Sequence, residues 1–243
     1  MGWTPTDDTP ASYERGSGAV HPPMDFAAYK STQKRHPKEP PVYLPQEITE
    51  ITGPQLGPER VKPGDADLTA QHADMPIGER IVVSGRVMDT EGRPLRDTLV
   101  EIWQANAAGR YRHRWDRWAA PLDPNFSGSG RCLTDHEGRY EFTTVKPGPY
   151  PWGNHHNAWR PAHIHVSLLG RAFAQRLVTQ MYFPGDPLFE FDPIFNSVLD
   201  ERARRRLVSR FDIHLTRPSW AQAYVFDVVL RGPGATPFEE AHG

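Results

Sequence analysis

The sequence predicts a mainly β protein: an antiparallel β-sandwich with long loops, one or two helices and an extended N-terminal arm. Three observations carry this reading. Twenty-five prolines and 20 glycines punctuate 243 residues, which is too dense for a helical bundle. Short runs of alternating apolar and polar residues recur from Arg80 onward, the period of a half-buried strand. Turn-forming clusters separate these runs at sandwich-like spacing.

Residues 1–75 form the predicted arm of a single-domain chain, and residues 76–243 its β-sandwich core. The arm is polar, holds 11 of the 25 prolines and keeps no sustained period of two or of 3.6. Ordinary loops are far shorter. Its scattered apolar residues, Tyr13, Phe26, Tyr29, Tyr43, Leu44 and Ile48, favour a segment ordered by packing over a free tail.

In the core, Ile81, Val83, Gly85 and Val87 alternate with polar residues, and a turn-rich stretch follows from Asp89 to Leu95. Thr98 to Gln104 returns as a strand with Val100 and Ile102 on one face and Leu99, Glu101 and Trp103 on the other. Ala105 to Gly130 reads as a long loop. Tyr140, Phe142 and Thr144 alternate after the turn at Thr134–Gly138. Lys146 to Pro151 is too proline-rich for regular structure. Ala162–Leu169 and Arg176–Phe183 read as strands, Asn196–Phe211 as one sizeable helix, and Tyr224–Leu230 as the closing strand.

Net charge is −2 with both signs interspersed, so no basic field for nucleic acid is present. Arg202 and Arg204–Arg206 read as a solvated helix face. Cys132 is the only cysteine, which excludes an intramolecular disulfide and fits a reducing compartment. A packed thiol is the commoner state of a lone cysteine than a nucleophile. The N-terminus lacks the basic start and apolar run of a secretory signal, and no stretch approaches the ~20 apolar residues of a membrane span. The expectation is a soluble, cytoplasmic protein.

The sharpest chemical feature is His163-Ile164-His165. Residues two apart on a strand share a face, so both imidazoles point one way while Ala162, Ile164, Val166 and Leu168 serve the core. Two readings stay open: a shared metal ion, or two histidines hydrogen-bonded in a polar pocket. Asp186, Glu190 and Asp192 are the carboxylates within reach in sequence. Tyr111 and Tyr150 stand in unusual loops, Tyr150 between two prolines that stiffen its backbone. A loop tyrosine is most often a packing residue with a solvated hydroxyl, and spacing alone makes neither a ligand.

Trp159-Arg-Pro-Ala-His-Ile-His, Pro149-Tyr-Pro-Trp, and Leu99-Val-Glu-Ile-Trp-Gln-Ala-Asn with Gly109-Arg-Tyr resemble the intradiol ring-cleavage dioxygenases. Tyr29-Lys-Ser, Leu122-Asp-Pro-Asn-Phe and Gln180-Met-Tyr-Phe extend the resemblance over nearly the whole chain. It is strongest to the protocatechuate branch, because the N-terminal region is a proline-rich arm and not a helical dimerisation domain.

The resemblance implies one non-haem Fe(III) per chain, held by Tyr111, Tyr150, His163, His165 and a hydroxide. Two phenolates and a hydroxide balance the 3+ charge, and a bound cation lowers a phenol's pKa from ~10 far enough to ionise it. It further implies that a catechol chelates the iron, displacing hydroxide and Tyr150, which accept its protons. O2 then cleaves the ring between the two hydroxyl-bearing carbons, both oxygen atoms being incorporated. From protocatechuate (3,4-dihydroxybenzoate) the product is 3-carboxy-cis,cis-muconate, a step of the β-ketoadipate route. Arg160 and Gln180 fall on the polar residues that stabilise charge at the ring. Trp103, Trp152 and Ile194 fall on pocket walls, and Tyr29 on a contact to the substrate carboxylate. Gly153 departs from the pattern, standing where relatives often carry a basic residue, so the carboxylate's cationic partner must come from elsewhere. The branch pairs this type of chain with a homologous α subunit that lacks the iron ligands, in a higher oligomer with the site between the two.

Three alternatives accompany this reading. One is an intradiol enzyme for another catechol. Another is a His-x-His site completed by a carboxylate for Fe(II) or Mn(II). The third is a non-enzymatic transthyretin-like module, suggested by the runs Gly85–Leu95 and Thr134–Phe142.

Overall fold

The computed structural model describes residues 20–39, 58–170 and 176–239. Tyr13, Tyr43, Leu44 and Ile48 of the arm lie outside the described residues. The strands are β1 (Arg80–Met88), β2 (Leu99–Trp103), β3 (Ser129–Leu133), β4 (Arg139–Val145), β5 (Tyr150–Pro151), β6 (Trp159–Arg160), β7 (His163–Leu169), β8 (Arg176–Tyr182), β9 (Arg210–Phe211), β10 (Gln222–Val225) and β11 (Val228–Val229). Among the described residues the α-helices are short: α1 (Lys30–Arg35), α2 (Pro193–Ser197) and α3 (Glu201–Arg205).

Two sheets carry the core. One runs β3-β2-β7-β8 and is antiparallel throughout, with Trp103 opposite His165 and His165 opposite Gln180. The other is mixed. β1 pairs antiparallel with β4 but parallel with β10 and β11. Among the named strands, the expected antiparallel arrangement is departed from at these β1 pairings. Parallel neighbours need a long connection, and the whole core supplies one between the first strand and the last.

Inward residues of both sheets meet in one buried cluster, including Ile81, Val83 and Phe142 from one and Val100, Ile102, Ile164, Val166, Leu168 and Met181 from the other. Each such side chain contributes about 1.5–3 kcal/mol on burial. On β7 the expected split of faces is realised, since Ile164, Val166 and Leu168 all enter this cluster.

Four elements differ from the sequence expectation. Asn196–Phe211 is not one helix. The chain leaves α2 at Val198 with ψ 99°, Asp200 restarts it by accepting from Arg202 N and Ala203 N, and Val208 then bridges to Tyr182. Val198 and Leu207 are still buried, in a second cluster with Tyr182, Phe195 and Ala203. Capping chemistry thus overrides the helical apolar spacing. Ser129–Leu133, without alternation in its sequence, is a strand because β2 pairs with it over five positions. Tyr150–Pro151, in a stretch read as irregular, forms a two-residue ladder with Trp159–Arg160, a site where a proline's missing N–H is tolerated. The closing strand is interrupted between β10 and β11, where Asp227 turns aside to accept from Arg86 N.

The described part of the arm packs on the core. Tyr29 and Thr32 are buried. Asn154 clamps α1, accepting from Lys30 N at 2.9 Å and donating to Ala28 O at 2.8 Å. Cys132 is half-buried, and burial pushes its thiol up to about 12, which fits a packing role. No helix among the described residues is long and apolar enough to cross a membrane.

Candidate metal centre

β7 projects His163 and His165 from the face opposite its core residues, with ring centroids 5.0 Å apart. In each ring Nδ1 is engaged on the side away from the pair. His163 Nδ1 lies 2.7 Å from Pro161 O, and His165 Nδ1 lies 2.9 Å from a carboxylate oxygen of Glu239. Both neighbours are acceptors, so the network assigns the proton to Nδ1 and leaves a lone pair on each Nε2. Burial, then the nearby charges of Arg160 and His165, hold His163 well below the usual histidine pKa. It is neutral, as a ligand must be.

The two tyrosines arrive from loops that touch backbone to backbone. Gly109 has φ +78°, and a Cβ there would lie 2.1 Å from Pro149 O, so only glycine lets the Tyr111 loop cross the Tyr150 loop. Asn106 fixes the same turn by accepting from Ala108 N and Arg110 N. Asp116 accepts from Tyr111 N at 2.8 Å. As a result the Tyr111 ring stands edge-on to Tyr150 at 5.4 Å and 6.3 Å from His165. Tyr150 Oη lies 3.2 Å from His163 Nε2 and donates to it.

Tyr111 Oη is buried without a hydrogen-bond partner. Leaving a buried hydroxyl unsatisfied costs about 1–3 kcal/mol, and such groups in native proteins point to an ion or water. Burial raises both phenols above the ordinary tyrosine pKa, Tyr111 the more strongly, with Tyr150 beside it adding to the rise. In the protein alone both are neutral; a multivalent cation among them would reverse that balance. Two imidazole lone pairs and two phenol oxygens therefore fit a hard, highly charged ion.

The carboxylates considered from sequence are engaged elsewhere. Asp186 accepts from Ala162 N and Leu188 N, Glu190 is exposed, and Asp192 binds Arg160. Among the described residues no group of three or more His, Cys, Asp and Glu side chains could hold a metal ion. The His-x-His-carboxylate alternative therefore lacks its carboxylate among the described residues, while the two phenols lie beside the histidines.

Around the four residues lies a buried polar network. Arg160, only 3 % exposed, donates from Nε to Asp192 at 3.1 Å and from Nη2 to Gln180 Oε1 and, at 3.1 Å, to Tyr182 Oη. Asp192 opposes the burial cost and keeps the guanidinium's pKa high. Tyr182 also donates to Gln180 Oε1 at 2.8 Å, and Asp192 caps α2 by accepting from Ile194 N.

The remaining sequence candidates border this network. Trp103 stacks on His165 at 4.8 Å with 5° between the planes. Trp152 lies under the Arg160 guanidinium at 5.5 Å and edge-on to Tyr29 at 5.6 Å. Ile194 is buried and donates from its backbone N–H to Asp192. Gly153 is exposed with open space around its Cα. Sequence reading missed Glu239, Tyr182 and the pairing role of Asp192. Tyr182 lay inside Gln180-Met-Tyr-Phe, but nothing in the sequence ties Glu239 to a histidine 74 positions away.

Comparison with known proteins adds three findings. A family model described as Dioxygenase matches residues 51–232, and one described as Protocatechuate 3,4-dioxygenase beta subunit N terminal matches residues 13–47. The chain is 55% identical over 238 residues to the protocatechuate 3,4-dioxygenase beta chain of Burkholderia cepacia, covering 97% of this chain and 99% of that one. It is 33% identical over 172 residues to the alpha chain from the same organism, covering 70% of this chain and 80% of that one. Among solved structures, 3-chlorocatechol 1,2-dioxygenase from Rhodococcus opacus matches with a TM-score of 0.54 and 25% identity, over 74% of this chain and 70% of that one. With a family model spanning most of its length and a relative matched nearly end to end, the chain belongs to the intradiol ring-cleavage dioxygenase family.

Proposed function

We propose that this chain cleaves protocatechuate between its two hydroxyl-bearing carbons to give 3-carboxy-cis,cis-muconate, using one Fe(III) on Tyr111, Tyr150, His163 and His165. The carrying observation is the convergence on one spot of two imidazoles with Nδ1 engaged, the Nε2 of His163 meeting the Tyr150 hydroxyl, and two buried phenols, one with an orphaned hydroxyl. The near full-length likeness to a protocatechuate 3,4-dioxygenase beta chain supports the substrate.

Bound there, Fe(III) supplies the Lewis acidity that takes up a catechol as its dianion. The chain's own groups do the rest. Tyr150, on a two-residue strand, would be one of the residues holding the ion, and its oxygen would be the group that accepts a substrate proton. Arg160 cannot lose its charge and is held by Asp192 and Gln180, so it presents fixed positive potential to charge developing on the ring. Trp103 and Trp152 wall the pocket and exclude water, with Ile194 behind Asp192. Tyr29, edge-on to Trp152, would contact the substrate carboxylate.

The partner is a homologous α chain, since this chain resembles both the beta and the alpha chain of one organism's enzyme. That chain supplies the cation that Gly153 does not. The single-domain reading, with residues 1–75 as a proline-rich N-terminal arm, would suit such an interface. The likeness to catechol and chlorocatechol enzymes keeps another catechol as the second reading.

The test is anaerobic titration of the iron-loaded protein with protocatechuate, then catechol, followed by visible absorption. A coloured tyrosinate-to-iron band that shifts with protocatechuate is expected. Iron-loaded protein that is colourless would overturn the ligand assignment, and a shift with catechol alone would overturn the substrate.

A further inference from the structure

The C-terminal segment carries a carboxylate into the site. We infer that Glu239 is a positioning residue for His165, fixing the imidazole with Nδ1–H toward the carboxylate and Nε2 toward the metal position. This rests on the four-ligand reading above.

The geometry is built and not incidental. Residues 236–239 are fastened beside β8 and β11 at successive points. Thr236 N donates to Val229 O at 2.9 Å, and Val229 N donates back to Thr236 Oγ1 at 3.0 Å. Thr179 Oγ1 donates to Pro237 O at 2.7 Å, and Glu239 N donates to Val178 O at 3.0 Å. Phe238 packs against the core cluster. The backbone of Glu239 is therefore paired to the neighbour of the strand that carries His165. Its Oε2 takes two donors, His165 Nδ1 at 2.9 Å and Gln180 Nε2 at 3.1 Å.

Two independent restraints then act on one ring. The parallel Trp103 indole sets the imidazole plane. The Glu239 carboxylate sets which nitrogen faces which way within that plane. His163 is restrained differently, because its Nδ1 meets the neutral carbonyl of Pro161. A carboxylate raises the donor strength of an imidazole more than a carbonyl does. The two histidine ligands are thereby made unequal. The same carboxylate holds the amide of Gln180, whose oxygen accepts from Arg160. Glu239 thus links the metal-facing side of the site to its substrate-facing arginine without touching substrate.

The experiment compares full-length wild type, E239Q and E239A, each loaded with Fe(III), by release of iron to a chelator and by the visible band. Thermal unfolding of the metal-free proteins is measured alongside. E239Q keeps an acceptor of the same shape but no charge. Iron release about 10–100-fold faster than wild type is expected for E239A, with E239Q between them and the band shifted in both; metal-free unfolding stays near wild type. Wild-type release and an unshifted band in both variants would overturn the inference while leaving the four-ligand reading standing. So would a loss confined to E239A and matched by lower metal-free stability, which would mark Glu239 as a fastening of the tail alone. Wild type that takes up no iron would overturn the four-ligand reading and the inference with it.

Discussion

The two faces of β7 make opposite demands on the same seven residues. On one face Ile164, Val166 and Leu168 are at most 2 % exposed and fill a core shared by both sheets. What matters there is volume. On the other face His163 and His165 sit among Tyr111, Tyr150, Trp103, Glu239 and Arg160. There the polar atoms are placed one by one, and the buried Tyr111 hydroxyl is left without a partner. The inner face contributes stability that is spread over many contacts. The outer face concentrates function in a few atoms and adds little apolar burial. Substitutions on the two faces should therefore separate stability from metal binding.

The largest expected separation comes from His163→Ala. Iron per chain, measured by metal analysis, should fall close to zero while the β-rich circular dichroism persists; full iron occupancy would contradict its assignment as a ligand. Asp192→Ala should come next, at about 3–5 kcal/mol of stability in denaturant unfolding, because it leaves the Arg160 guanidinium buried and uncompensated. A loss under ~1 kcal/mol would mean water reaches that pair. Ile164→Ala should cost about 2–5 kcal/mol through the cavity left in the core, yet keep iron and its colour. If the band is lost at temperatures where the protein remains folded, the two faces are not independent.

Tyr150→Phe should leave stability and iron nearly unchanged but slow catechol binding about 100-fold in stopped-flow mixing, by removing a proton acceptor. Unchanged binding would refute its role as the displaced ligand. The smallest structural effect belongs to Cys132. With its thiol pushed up to about 12, the thiolate is scarce well above neutrality, since a raised pKa keeps the proton on. Alkylation of the folded protein at pH 8 should run about 1,000-fold slower than for an ordinary thiol; a fast reaction would place Cys132 in solvent.

Much of the site was legible because strand geometry is local. Alternation along Ala162–Leu169 by itself puts both histidines on one face. The tyrosines were not legible in that way. Tyr111 and Tyr150 come from loops whose crossing depends on a glycine at positive φ meeting a carbonyl 40 positions later, and no periodicity encodes such an encounter. Only the family resemblance pointed to them. The helix expected over Asn196–Phe211 failed for a related reason. Its apolar residues have helical spacing, but the Asp200 cap and the bridge from Val208 to Tyr182 divide it.

By itself, then, the sequence determined the β class, the strand bearing the histidines and, through its motifs, the family. These rest on local periodicity, turn chemistry and short runs of residues. Tertiary structure alone decided that β1 runs parallel to β10 and β11, that Asp192 pairs with Arg160, and that Glu239 reaches His165. Each of these joins segments far apart in the chain, and the stabilising contact exists only once the sheets have brought them together.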